Sequence, residues 1–346
     1  MKALTYHGPG RRYWADVPDP ILQDSEDAVI RVEAVTICGT DLHILRGDVP
    51  TCEPGRVLGH EAVGTVEEVG AGVRRVRPGD RVLISCISAC ARCRYCREGR
   101  YGQCVGGGGW ILGHRIDGTQ AERVRVPFAD TSTLALPDQV GNEAALMLAD
   151  ILPTAYEVGV RAGQVAPGDT VVVVGAGPIG LAAVLTAHLF SPGLTIVVDP
   201  VAARRDAAKT LGADLVLDPG ENVEAIVRDH TDGLGADVAI EAVGIPESFE
   251  LCARLVRPVG RVANVGVHGA PASLHLEVLW DKDITITTGL VDTGTTPMLL
   301  TMLANHRLDV GRFVTHRFGL DEIQDAYDVF SRSGETGALK VALFRS

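Results

Sequence analysis

Long apolar stretches are missing from this 346-residue sequence: no uninterrupted run approaches the ~18 residues that a membrane-spanning helix needs. The opening residues 1–7 lack the apolar segment of a secretory signal peptide, so a soluble, cytoplasmic protein is expected. Positive charge is also in short supply. With 32 Lys and Arg against 44 Asp and Glu, the net charge of -12 would repel a phosphate backbone and argues against a nucleic-acid partner. Low-complexity segments are absent, which excludes disordered and fibrous architectures. What remains is 46% apolar content and 40 glycines, the composition of a globular chain with many turns. Its length exceeds one typical domain, so two are expected. In a reducing compartment the eight cysteines are metal ligands or buried thiols rather than disulfides.

The chain changes grammar near residue 153. Before it, β-rich segments at 2–6, 28–35, 62–69, 81–85 and 121–126 are separated by turn signals such as Arg77-Pro-Gly-Asp80, predicting a partly closed β structure. After it, strands at 170–174, 194–198, 214–217, 236–240, 260–265 and 283–288 alternate with helix-like segments. That alternation calls for right-handed crossovers and a doubly wound parallel sheet, an α/β fold. A helix at 320–331 and a strand at 339–344 are expected to rejoin the first part. The expected domains are 1–152 with 293–346, and 153–292.

Four valines, 171–174, run straight into Gly175, Gly177 and Gly180 at G-x-G-x-x-G spacing, with Pro178 and Ile179 opening a helix. Glycine permits the tight turn at the first position, backbone approach to a pyrophosphate at the second and helix-on-strand packing at the third. N–H groups of the helix's first turn then face the anion. A second apolar strand ends in Asp199, about 20 residues downstream, where an acid meets the adenosine ribose. A carboxylate there accepts from both hydroxyls of NAD and repels the 2′-phosphate of NADP, so NAD is the expected cofactor. Arg204 and Arg205 follow closely and could reach an NADP phosphate, yet on a helix starting near Pro200 such residues are more often solvated or stacked on adenine.

Cys90, Cys93, Cys96 and Cys104 give C-x2-C-x2-C-x7-C, four thiolates able to close a tetrahedral structural zinc site. This spacing matches neither ferredoxin pattern. Arg92, Arg94, Arg97 and Arg100 lie among the ligands and are expected to offset the two negative charges of a Zn(Cys)4 centre. A looser set, Cys38 to His43, then Gly59-His60-Glu61 with Gly64, then Asp150, holds donors suited to an open catalytic zinc site. Spacing alone does not pair them. Cys38 could equally be a small buried hydrophobe, His60 a core histidine and Asp150 the cap of a helix starting near Pro153. Cys52, Cys86 and Cys252 read as buried thiols.

Taken in order, the Cys38 to His43 segment, the Gly-His-Glu element, the four-cysteine lobe and the glycine fingerprint resemble the zinc-containing medium-chain alcohol dehydrogenases, over essentially the whole chain. The resemblance implies a Rossmann sheet plus a mainly β, GroES-like catalytic domain, and two Zn²⁺ per chain. It implies that Cys38, His60 and Asp150 hold the catalytic zinc and that Asp41 orients His60. A proton relay would run from Thr40 through the nicotinamide ribose to His43, with Glu61 beside the metal and off it most of the time. Thr154 and Ile179 would pack on the nicotinamide, Arg204 would lie near the adenine, and Lys340 would reach the pyrophosphate. A homotetramer is implied, with a dimer through strand 283–288 as the minimum.

Two positions depart from the family pattern. Asp150 stands where cysteine is usual, which leaves the charge balance intact and is similar to the bacterial secondary-alcohol branch, although members of that branch often lack the cysteine lobe. Gly39 stands where some relatives carry an arginine that clamps the pyrophosphate. Trp110, after the glycine run 106–109 that is expected to be mobile, lines the substrate pocket or belongs to the core. The implied activity is interconversion of a primary or secondary alcohol with its aldehyde or ketone. A polyol or amino-alcohol dehydrogenase is the alternative enzyme, and a non-catalytic nucleotide-binding protein the alternative of another class. Cys38 and His60 speak against the latter.

Overall fold

Residues 1–345 are described by a computed structural model, in which the chain divides into two units: Met1–Pro153 with Val291–Ser346, and Thr154–Leu290. No helix among the described residues is long and apolar enough to cross a membrane.

The first unit is built on a seven-stranded sheet. Ala28–Thr36, the longest of its strands at nine residues, lies at the centre and pairs antiparallel with Ala62–Val69, Arg123–Val126 and Lys340–Phe344. Its apolar residues alternate too little for a one-sided sheet, because most of both faces is covered. Two register shifts against Ala62–Val69 bend it, as a partly closed sheet requires. Leu4, Ile30, Leu58, Ile84, Tyr327 and Phe330 meet in one core, so the C-terminal helix Ile323–Ser331 packs against strands some 300 residues earlier. The strands Arg12–Asp16, Thr133–Ala135 and Val314–Gly319 escaped the sequence reading. The first two are short and largely uncovered, so little apolar alternation marks them.

The second unit is a six-stranded parallel sheet of Thr170–Val174, Leu194–Val198, Leu215–Leu217, Ala236–Glu241, Val256–Asn264 and Thr285–Thr288. Numbered in chain order, they lie side by side as 3-2-1-4-5-6, the Rossmann arrangement with its crevice between the first and fourth strands. Val171 to Val174 are all buried, each side chain removed from water at a gain of roughly 1.5–3 kcal/mol. The fifth strand begins at Val256, earlier than the periodicity predicts, because Arg257-Pro258 interrupts the apolar run. The helix expected near Pro153 is a short α-turn, Ile151–Thr154, which continues as a widened π-helix over Ala155–Arg161. Gly159 and Gly163 bring this segment onto the fourth strand: a Cβ on Gly163 would sit 2.8 Å from Val238 Cγ1.

Candidate active site and metal centres

In the first unit, Cys38, His60, Glu61 and Asp150 converge, one donor atom from each lying within 4.8 Å of the others. Different elements deliver them. Cys38 has extended backbone at the entry to helix Gly39–Arg46. His60 and Glu61 precede strand Ala62–Val69. They follow Gly59, whose φ of +93° disfavours a side chain and whose Cβ would meet Gln120 at 2.5 Å. Asp150 stands just before the turn Ile151–Thr154.

Cys38 Sγ is 3.6 Å from Asp150 Oδ2, and His60 Nε2 is 3.4 Å from the same oxygen. A tetrahedral zinc with bonds of ~2.0–2.3 Å separates its ligand atoms by ~3.3–3.8 Å, so these three donors fit one ion. Glu61 Oε1 lies slightly farther out, 3.9 Å from His60 Nε2, and has no hydrogen-bond partner. The electrostatics also fit a cation. Burial pushes the Cys38 thiol up, helped by the carboxylates of Asp150 and Glu61. At His60, burial opposes protonation, but Asp150 and Cys38 outweigh it and raise the imidazole well above its ordinary range. A divalent ion would replace those shared protons as the neutralising charge.

Thr40 and His43 share helix Gly39–Arg46, one turn apart. Thr40 Oγ1 is 3.6 Å from Cys38 Sγ, while His43, partly exposed, meets Asp48 through Nδ1 at 2.9 Å. Asp41 Oδ2 accepts the Cys38 N–H at 2.9 Å, and Oδ1 lies 3.7 Å from His60 Nδ1, so one carboxylate faces both residues. Trp110 packs against the core, with its ring edge-on to His60 at 6.3 Å and stacked on His114 at 4.2 Å.

Lys340 has a partner that was not expected. Its ammonium is buried, donating to Glu61 Oε2 at 2.6 Å and to the Ile37 carbonyl at 3.2 Å, so a matching charge lies beside it inside the first unit. Sequence gave no signal for this pair, whose partners lie 279 residues apart.

The four cysteines of the lobe also meet within 4.8 Å. Their charge is tempered by backbone N–H groups: Cys90 N donates to Cys104 Sγ and Cys93 N to Cys90 Sγ, both at 3.4 Å. The N–H of Cys96 holds the Cys93 thiol down to about 6. Three of the four arginines are engaged by carboxylates: Arg92 binds Glu26, Arg94 binds Glu98 and Arg100 pairs with Asp292. The glycine run has a different reason from mobility as well. A Cβ on Gly106 would overlap Cys90 Sγ and one on Gly108 the Ser88 carbonyl, while Gly109 and Ser88 exchange two hydrogen bonds. Glycine is there for close approach.

In the second unit, Gly175 turns with φ +100°, and a Cβ on Gly180 would overlap the Gly175 carbonyl. Gly177, just before helix Pro178–Ala187, faces open space, leaving room for a pyrophosphate to approach the backbone. Asp199 is buried, with Oδ2 accepting the Ala176 N–H at 2.7 Å and Oδ1 the Val201 N–H at 2.8 Å. The acid is thereby locked to the glycine turn. Arg204 Nη1 is 3.9 Å from Asp199, and Arg205 is bound to Asp218. Ile179 is half-buried at the start of the helix, and Thr154 opens this unit.

Residues 24–138 match the alcohol dehydrogenase GroES-like domain and residues 178–305 the zinc-binding dehydrogenase domain. An alcohol dehydrogenase of Cupriavidus necator is 36% identical, covering 99% of this chain and 98% of that protein. The chain belongs to the zinc-binding medium-chain alcohol dehydrogenase family. Among solved structures of this family, zinc-dependent alcohol dehydrogenase 2 from Streptococcus pneumonia superposes with a TM-score of 0.96 at 47% identity, covering 100% of this chain and 99% of that one. A zinc-binding dehydrogenase from Sinorhizobium meliloti bound to NADP superposes with a TM-score of 0.87 at 29% identity, covering 99% and 98%. As a medium-chain alcohol dehydrogenase the chain is an oxidoreductase with a GroES-like and a Rossmann part, as the motif order predicted.

Proposed function

We propose that this chain is an NAD-dependent zinc alcohol dehydrogenase that interconverts primary or secondary alcohols with aldehydes or ketones. The observation that carries this reading is the triangle of Cys38 Sγ, His60 Nε2 and Asp150 Oδ2, three donors at zinc-ligand separations with total charge matched to a dication. Zinc, when bound, supplies Lewis acidity that lowers an alcohol's pKa, and NAD supplies the carbon that accepts hydride. The chain's own residues do the rest. Cys38, His60 and Asp150 would hold the metal. Thr40 Oγ1, beside Cys38, would accept the alcohol proton as it gives up its own, and His43, partly exposed, would be the group that releases a proton to water. Trp110, edge-on to His60, bounds the substrate. The second zinc is structural, enclosed by Cys90, Cys93, Cys96 and Cys104.

NAD is preferred to NADP because Asp199 is fixed as a charged acceptor where the 2′-phosphate would have to sit. Ile179 and Thr154 contact the nicotinamide in this reading, and Arg204 the adenine side. Association of copies, as a dimer or homotetramer, uses the edge strand Thr285–Thr288, close in sequence to the exposed Leu276, Val278 and Trp280.

A panel of simple alcohols, diols, polyols and threonine, assayed separately with NAD and NADP on protein of known zinc content, tests these statements together. The expected result is two zincs per chain and turnover of simple alcohols with NAD. A single zinc held by the cysteine lobe, with no turnover, overturns the reading.

A further inference from the structure

Behind the cluster of Cys38, His60 and Asp150 lies a buried row of side chains that the proposed reaction does not use. Tyr327 Oη donates to Gln120 Oε1 at 2.8 Å, and Gln120 Nε2 donates to Asp41 Oδ2 at 3.0 Å. Asp41 Oδ2 also takes the Cys38 N–H, while its Oδ1 faces His60 Nδ1 at 3.7 Å. Neither of those last two atoms has a hydrogen-bond partner, and each has the other as its polar counterpart across that gap. His60 is 3% exposed, Asp41 and Tyr327 1% and Gln120 0%, so the row is shielded from bulk solvent.

The direction of each bond is dictated. Asp41 Oδ2 accepts the Cys38 N–H and so serves as an acceptor here, which turns the Gln120 NH2 toward it; the amide oxygen then points away and needs a donor, which the phenol supplies. Without that phenol the buried amide oxygen has no donor, and the amide that holds Asp41 is secured at one end only. Tyr327 is itself pinned, with the Arg12 guanidinium 4.9 Å above its ring and Arg12 paired to Asp328 on the same helix.

We propose that Gln120 and Tyr327 are positioning residues for the catalytic metal: they hold the Asp41 carboxylate so that its Oδ1 faces Nδ1 of His60, which orients the ring with Nε2 turned toward Cys38 and Asp150. This rests on the reading of those three residues as zinc ligands. Partners of this kind behind a metal-bound histidine typically change metal affinity by ~10–100-fold when removed. The fold gains something further: helix Ile323–Ser331 becomes coupled to a ligand 267 residues earlier in the chain.

The test is competition of the full-length, zinc-loaded protein with a chromophoric chelator, which separates weakly and tightly held zinc. Gln120→Leu is expected to weaken one zinc by roughly tenfold or more, and Tyr327→Phe by several-fold, with the cysteine-lobe zinc in the same chain unchanged. Tyr327→Phe keeps the ring and its contact with Arg12, so it decides the matter if Gln120→Leu does not fold. A Tyr327→Phe variant that unfolds more easily without metal yet releases both zincs as the wild type does overturns the proposal and leaves a purely structural role. Wild-type protein that never holds a second zinc overturns instead the ligand reading beneath it.

Discussion

Replacing Lys340 by methionine should be among the most damaging single changes available in the first unit. The Lys340–Glu61 pair is enclosed, both side chains being 1% exposed, and the ammonium is bonded at 2.6 Å. Methionine keeps much of the volume but leaves an unpaired carboxylate and the Ile37 carbonyl without water. Breaking one side of a buried pair costs about 3–5 kcal/mol, a large part of the ~5–15 kcal/mol that holds an ordinary domain folded. Urea denaturation of the metal-free protein at pH 8 measures it. The deficit should shrink as the pH falls. Burial already raises the Glu61 carboxyl above its ordinary 4.5, with Lys340 the main opposing influence, so in Lys340→Met it rises further. A folded-state value above the unfolded one means that the folded chain binds more protons between the two, so stability falls as pH rises through that window. Lys340→Met should therefore lie closer to wild type at pH 5 than at pH 8, and Lys340→Met/Glu61→Gln should recover part of the loss at pH 8. A Lys340→Met protein within about 1 kcal/mol of wild type at pH 8, with no pH trend, would refute the reasoning.

Three further outcomes are expected. Gly180→Ala places a methyl into the Gly175 carbonyl, two backbone atoms that cannot yield, so NADH binding followed by fluorescence should weaken at least about tenfold while zinc content is unchanged. Gly106→Ala should lower zinc by one per chain in elemental analysis, because the new carbon collides with Cys90 Sγ. A Cβ on Gly39 meets nothing, so Gly39→Arg should be accommodated and should slow NADH release in stopped flow; an unchanged off-rate would remove the idea that this glycine hastens cofactor departure.

Local pattern was enough for much of the molecule. The valine run, the glycine spacing and Asp199 identified the nucleotide half, because a strand–turn–helix unit is built from neighbours in sequence and its glycines answer to steric demands within a few residues. The cysteine lobe was legible for the same reason: four cysteines on one short loop can meet without help from the rest of the fold. Even there, the carboxylate partners of Arg92, Arg94 and Arg100 could not be read from the order of residues.

What tertiary structure alone decided are the meetings between distant segments. Cys38, His60 and Asp150 were candidates without a geometry until the strands of the first unit set their donors 3.4–3.6 Å from the Asp150 carboxylate. The Lys340–Glu61 pair, and the row from Tyr327 through Gln120 to Asp41, left no mark in the sequence at all. A buried charge or amide must find a partner wherever the fold provides one, and that choice depends on distance in space, which residue order does not encode locally.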